Sequence, residues 1–161
     1  PLQLPVYAAT LANGGTRYQP TLIKSVKSYD YSSTVMENEP KVAQQIDVDP
    51  ANLKAVTDAM QSVADEGGTA AATFANYPIP IAIKTGTSQH SGGKDFDGNS
   101  TDHGVLIAYA PADDPEIAVA VVGECALHGS SVAPVARDIF DAYFQGEGEM
   151  ESVPAEYTLQ K

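Results

Sequence analysis

Residues 103–124, HGVLIAYAPADDPEIAVAVVGE, constrain this chain more than any other stretch. Two apolar runs, 103–110 and 117–124, are short and rich in β-branched and aromatic side chains, so each reads as a strand. The link between them, 111–116, is a turn carrying Pro111 and Pro115. A link this short joins antiparallel neighbours, because a parallel pair needs a crossover of a dozen residues or more. The second run is apolar enough to lie centrally or to be covered on both faces. A third strand, 80–88, is joined to the first run by a polar, glycine-rich loop over 89–102, which can close a second hairpin.

Helices flank these strands. Residues 2–12 carry an apolar stripe of Leu2, Val6, Ala9 and Leu11, with Pro5 in the first turn and Asn13-Gly14-Gly15 as a stop. Asp49-Pro50 announces a second helix, a capping carboxylate followed by proline at the first helical position. Leu53, Val56, Met60 and Val63 recur at helical spacing, so 50–64 packs one face on a core before Glu66-Gly67-Gly68 ends it. Residues 69–75 can add a short helical turn. Ser130 or Ser131 can cap a last helix, with Val132, Val135, Ala136, Ile139, Phe140 and Tyr143 as its buried stripe. Between the first two helices, 16–30 is β-prone and 31–48 reads as polar and irregular. The expected fold class is α+β: a three-stranded antiparallel sheet flanked by helices.

With 161 residues and 43% hydrophobic side chains, the chain is long enough for one cored domain and too apolar to be disordered. Its formal net charge of −12 excludes nucleic acid as an expected partner, since phosphate binding needs a basic face. The acidic residues gather in 37–49, 95–116 and 147–156 without metal-ligand spacing, so they read as solvated surface; neither a metal nor a cofactor is expected. Cys125 is the only cysteine, which rules out an intrachain disulfide and reads as a buried, unreactive thiol. There is no apolar run of membrane-spanning length and no signal peptide. The chain opens already in helical register, as a piece of a longer protein would. Residues 1–144 read as one domain portion and 145–161 as an acidic, loose tail.

The strand at 80–88 contains IAIKTGTSQ, residues 81–89, with a lysine where apolar residues are expected. Alternation puts Ile81, Ile83, Thr85 and Thr87 on one face and Ala82, Lys84 and Gly86 on the other. Two roles fit Lys84. It is a charge that protects a sheet edge from aggregation, or it belongs to a site. If the strand is an edge, its free backbone groups can pair with an extended peptide. Gly86 would let another chain come close, the two hydroxyls can bind a carboxylate, and the ammonium supplies positive potential in an acidic protein.

The surrounding sequence adds to this. KTGTSQ followed by DHGVLIAYAPADDPEIAVAVVGE, a glycine-serine loop and a long helix resembles the C-terminal part of penicillin-binding protein transpeptidase domains. PLQLPVYAATLANGGTRYQPTLIKSV and LKAVTDAMQSVADEGGTAAATF resemble segments that precede the KTG strand in that family. The resemblance covers residues 1–144 and leans toward the class B branch. The family uses three motifs, Ser-x-x-Lys, Ser-x-Asn and Lys-Thr-Gly. Only the third is here in its proper place. Ser91-Gly92-Gly93-Lys94 spells the first literally, but it follows KTG, and two glycines in a polar loop do not hold serine and lysine one helical turn apart. Thr21-Leu22-Ile23-Lys24 fails for similar reasons.

The resemblance implies a fragment of a serine D,D-transpeptidase with its nucleophile upstream of Pro1, inactive by itself. Its substrate would be a peptidoglycan stem peptide ending in D-Ala-D-Ala, and beta-lactams would acylate the same serine. By carry-over, Lys84 supplies charge and hydrogen bonds, Thr85 and Thr87 bind a carboxylate, the Thr87 N–H contributes to an oxyanion hole, and Gly86 has a steric role. Ser88, Gln89 and the 90–102 loop would rim the cleft, and His103, which begins the next strand where the family often has a histidine, would join the substrate-binding residues. Gly104-Val105 departs from the family's small-then-aromatic pair after the histidine. His90 and His128 read as surface loop residues. Two other outcomes share the fold: a beta-lactam or peptide sensor without turnover, and a beta-lactamase. The missing N-terminal half of the domain would be the first partner, and without it the chain is expected to self-associate. The family also implies a membrane anchor with the catalytic domain outside the cell.

Overall fold

The turn at 111–116 does join antiparallel neighbours. In a computed structural model, which describes residues 1–145 except 91, 93, 95, 96 and 100, the elements in chain order are α1 (Gln3–Ala12), β1 (Thr16–Tyr18), β2 (Ser25–Lys27), β3 (Thr34–Glu37), β4 (Val42–Gln45), α2 (Pro50–Gln61), α3 (Ala71–Phe74), β5 (Ala82–Ser88), β6 (His103–Ala110), β7 (Ile117–Gly123) and α4 (Ala133–Phe144), the last preceded by a 3-10 turn at Gly129–Val132. The main sheet has the order β5-β6-β7, all antiparallel.

Register assigns its two faces. Ile83 lies opposite Ala108 and Ala108 opposite Val119, so Ile81, Ile83, Leu106, Ala108 and Val119 share one side. There they meet Val132, Ala133, Ala136 and Phe140 of the last turn and helix, with Phe74 of α3. The other side carries Ala82, Tyr109 and Ala118 against Met60 of α2 and Leu11 and Ala12 of α1. Tyr109, Phe140, Ile83 and Leu106 are the largest fully buried side chains, each worth about 1.5–3 kcal/mol in removal from water. The Tyr109 hydroxyl keeps a partner at depth, Thr57 of α2 at 3.0 Å.

Residues 31–48, read from sequence as irregular, contain β3 and β4. These pair with β2 and β1 in two separate two-stranded sheets. Every residue of both strands is exposed, so no apolar-polar alternation marks them. The β2–β3 connection is tied by the Asp30 carboxylate, which accepts from the Ser28 and Ser32 hydroxyls. Those bonds hold its pKa down to about 2.

The helices depart from expectation in their buried faces and ends. In α1 it is Ala8 and Thr10 that are buried, while Leu2 is 53% exposed. Small residues let the helix approach β6 and β7 closely, and Thr10 donates its hydroxyl proton back to the Val6 carbonyl at 2.7 Å. The second helix starts as expected, Asp49 accepting from the Ala51 N–H at 2.8 Å, but stops at Gln61 because a turn carries Val63 and Ala64 into the core edge. Neither Ser130 nor Ser131 caps α4: they lie within the 3-10 turn and Val132 holds the cap position, without a side-chain bond. Val135, Ile139 and Tyr143 of the expected stripe are exposed, because Val132 of the turn and Ala133, Ala136 and Phe140 of α4 face the core, with Phe144 packed at its edge. Cys125 is half-buried with φ +52°, not interior, since it sits in the loop that leaves β7. The tail beyond Gln145 lies outside the described residues.

Candidate active site

The KTG strand, β5, is an edge: β6 flanks one side and no strand flanks the other among the described residues. Its start is core, with Ala82, Ile83 and the preceding Ile81 buried, and its C-terminal part emerges. Lys84, Gly86, Thr87 and Ser88 are exposed and Thr85 is half-buried. Lys84 donates to the backbone carbonyl of Thr85 and makes no ion pair among the described residues, although the chain carries 21 acidic side chains. An unpaired ammonium therefore stands on the open edge of the sheet. Thr85 and Thr87 point to the opposite face, so a ligand lying along the edge would have hydroxyls on one flank and the ammonium on the other.

The platform under this edge is made by glycines. Gly129, at the start of the 3-10 turn, presses on the strand backbone: a Cβ there would lie 2.5 Å from the Gly86 carbonyl oxygen, 2.6 Å from the Gly86 nitrogen and 2.6 Å from the Val105 oxygen. Gly104 meets the His128 carbonyl oxygen in the same way at 2.4 Å. This explains why Gly104 stands in the chain after His103: the loop from β7 crosses the sheet directly above it. The close approach expected at Gly86 thus comes from within the chain. A side chain at Gly86 itself would meet only Val105, at 3.8 Å, and its own face stays open.

Sequence reasoning missed Thr69. Its Oγ1 lies 2.7 Å from Thr85 Oγ1, so the loop before α3 reaches the KTG threonine. The Gly67-Gly68-Thr69 turn after a helix was the available signal, read only as a helix stop.

Ser88 pairs with His103 in register. Register puts His103 on the same sheet face as Lys84. The His103 Nδ1 accepts the Cys125 N–H at 3.1 Å, which places any neutral-ring proton on Nε2. The ring stacks on His90 at 4.7 Å between centroids. His90 and His128 are exposed, as expected of loop residues. With Thr101, Asp102 and Leu127 they line a concavity of about 280 Å³ beside the end of β5. Gln89 is exposed just past the strand, and Ser91 lies outside the described residues. A separate concavity of about 420 Å³, lined by Leu2, Val6, Tyr7, Arg17, Pro20 and Ile46 among others, includes none of residues 82–89. No group of three His, Cys, Asp or Glu side chains is arranged to hold a metal ion among the described residues, and no helix there is long and apolar enough to cross a membrane.

Known proteins resemble this chain over most of its length. Residues 1–141 match the family model of the penicillin binding protein transpeptidase domain. The chain is 34% identical to penicillin-binding protein 2A of Bacillus subtilis, over its whole length and 24% of that protein. It is 36% identical to the peptidoglycan D,D-transpeptidase PbpA of Mycolicibacterium smegmatis, over 85% of this chain and 28% of the relative. Among solved structures, PBPA of Mycobacterium tuberculosis superposes with a TM-score of 0.67 at 31% identity, over 89% of this chain and 32% of that one. Its penicillin G acyl-enzyme complex gives 0.65 at 30% identity, over 86% and 30%. Pseudomonas aeruginosa PBP2 gives 0.70 at 32% identity, over 99% and 33%. The chain spans about a quarter to a third of the length of the proteins it matches. With a lysine-bearing edge strand built as described, and a family match over nearly all the described residues, the chain belongs to the penicillin-binding protein transpeptidase domain family.

Proposed function

We propose that this chain is the KTG-bearing portion of a peptidoglycan D,D-transpeptidase, in which a serine upstream of Pro1 attacks the D-Ala-D-Ala amide of a stem peptide. The serine oxygen bonds to the carbonyl carbon, the terminal D-Ala leaves as the amine, and an amine from a neighbouring stem then displaces the serine to form the cross-link. Beta-lactams acylate the same serine by ring opening. The observation that carries this reading is the open edge of β5, with Lys84 unpaired among the described residues and Thr85 and Thr87 beside it.

The chemistry follows from that edge. A peptide extended along β5 satisfies backbone groups that have no strand partner among the described residues. The Lys84 ammonium sets a positive potential at a point on an otherwise acidic protein and can hydrogen-bond the hydroxyl of the Ser-x-Asn motif supplied from upstream. Thr85 and Thr87 receive the terminal carboxylate. The Thr87 N–H is one donor to the tetrahedral oxyanion, a role worth about 3 kcal/mol in comparable sites. Ser88, Gln89 and His103 rim the cleft, His103 through its stack with His90. Gly86 keeps the Lys84 face free of a side chain.

The complete protein is anchored in the cytoplasmic membrane and works outside it, in cell-wall synthesis that sets cell shape. The apolar side chains left exposed on α1, its cap and α4, among them Leu2, Tyr7, Val135, Ile139 and Tyr143, are where the rest of the domain packs, so the isolated chain self-associates. Lys84→Ala in the complete protein tests the reading. Acylation by penicillin is expected to fall by about ten- to a hundredfold, the loss of a charged hydrogen bond, with the fold intact by circular dichroism. Labelling at the native rate would remove Lys84 from the site.

A further inference from the structure

Thr69 belongs to none of the motifs above, yet its hydroxyl touches the KTG threonine at 2.7 Å. A hydroxyl has one proton to donate and two lone pairs to accept with. In a Thr69–Thr85 pair one proton bridges the two oxygens and the other is free to point elsewhere. If Thr85 were the donor, it would turn only lone pairs toward the edge of β5 and would repel a carboxylate. If Thr69 is the donor, the Thr85 proton stays available to an anion, and the incoming bond from Thr69 polarises the outgoing one. An anion on Thr85 selects the second arrangement.

We propose that Thr69 is a positioning residue for ligand recognition: it donates to Thr85 and so sets the Thr85 hydroxyl as a donor to the carboxylate of the stem peptide or the drug. This rests on the reading of Thr85 as a carboxylate-binding residue.

The chain around Thr69 holds it in place. Gly67 has φ +86°, open to glycine and strained for other residues. A Cβ on Gly68 would lie 2.3 Å from the Val63 carbonyl oxygen and 2.7 Å from that of Ser62, so the turn folds flat against the end of α2. The Gly68 N–H donates to Asp65 at 2.8 Å and the Ala70 N–H to Val63 at 3.0 Å. Ala70 is 1% exposed and packs in the core with Phe74 and Ile83. Thr69 is thus pinned between a tight turn and a core residue, and its β-branched side chain has little χ1 freedom. Thr69 is itself exposed, so it buries little, and the bond to Thr85 is the feature that distinguishes it.

The test uses the complete protein and the second-order rate of acylation by penicillin G and by its methyl ester, for wild type, Thr69→Val, Thr69→Ala, Thr69→Ser, Thr85→Val and the Thr69→Val/Thr85→Val pair. With the free acid, Thr69→Val and Thr69→Ala are expected to slow acylation about five- to tenfold, the effect of one neutral hydrogen bond. Thr69→Ser should restore the rate to within about twofold, and the double variant should be no slower than Thr85→Val alone. With the methyl ester, which carries no carboxylate, Thr69→Val should match wild type. Thr69 variants at the wild-type rate beside a slow Thr85→Val would overturn the positioning role and leave the reading of Thr85 standing. Thr85→Val at the wild-type rate would overturn that reading and this proposal with it. Equal slowing of acid and ester by Thr69→Val, or effects that add in the double variant, would show that Thr69 acts on the fold and not on the Thr85 hydroxyl.

Discussion

The 3-10 turn that presses on the KTG strand makes a quantitative prediction. Alanine at Gly129 would place a methyl group 2.5–2.6 Å from three backbone atoms, two on Gly86 and one on Val105. These atoms belong to paired strands and cannot swing aside as a side-chain tip can. Reaching the 3.4 Å lower edge of ordinary contact from 2.5 Å requires the turn to retreat by about 0.9 Å. Val132 and Ala133, buried at the far end of the turn, would be drawn off the sheet with it. Gly129 does not have positive φ, so alanine meets no backbone penalty there and the whole cost is overpacking, about 2 kcal/mol. In a complete domain of roughly 300 residues, about twice this chain, this lowers the melting temperature by roughly 3 °C. Gly86→Ala is the control on the same contact. Its methyl would sit 3.8 Å from Val105, and alanine in a strand interior is about 0.5–1 kcal/mol better than glycine, so its melting temperature should hold or rise. Any loss of penicillin acylation in Gly86→Ala then belongs to ligand exclusion and not to stability. Calorimetry on the complete transpeptidase domain reads both. A Gly129→Ala domain as stable as wild type, or a Gly86→Ala domain that is the less stable of the two, would refute the argument that the turn presses on the strand.

Two further predictions concern elements that hold the platform. Tyr77 donates to the Asp141 carboxylate of α4 at 2.9 Å, and burial first, then that carboxylate, push its pKa up to about 12 from 10.0. A raised pKa in the folded state means that its contribution is complete below pH 10 and is lost as pH rises toward 12; ultraviolet titration should show one of the eight tyrosines ionising last, and Tyr77→Phe should remove that late step and about 1 kcal/mol of stability. Asp49→Ala removes the side-chain cap of α2, so denaturant unfolding should show a loss of about 1 kcal/mol, and no loss would mean that the cap is idle.

What could be read from the residues alone divides along burial. The three long strands and the helices that cover them were legible because Ile83, Leu106, Val119 and Phe140 recur with the period of their element. The strands β3 and β4 were not, because no residue in either is buried and period-2 alternation needs a buried face. The stripe on α4 was over-read: Val135, Ile139 and Tyr143 have helical spacing but no sheet beneath them among the described residues. Lys84 stood out as a charge inside an apolar run, and the edge position of β5 among the described residues meets a condition common to both of its readings, the protective charge and the site. Thr69 was invisible for a different reason. It is one short polar residue in a glycine turn, and its meaning lies in a contact 16 residues along the chain, which no local pattern encodes. Gly129 was passed over likewise, since a glycine beside two serines reads as a loop until the strand beneath it is known.

If this chain carries the KTG strand of a transpeptidase whose nucleophile lies upstream of Pro1, penicillin acylates the complete protein and not this portion of it. The measurement is intact mass after incubation with a penicillin, on this chain alone and on the chain extended upstream to the complete protein. One penicilloyl adduct is expected on the extended protein and none on this chain. An adduct on this chain alone, or none on either, would contradict it.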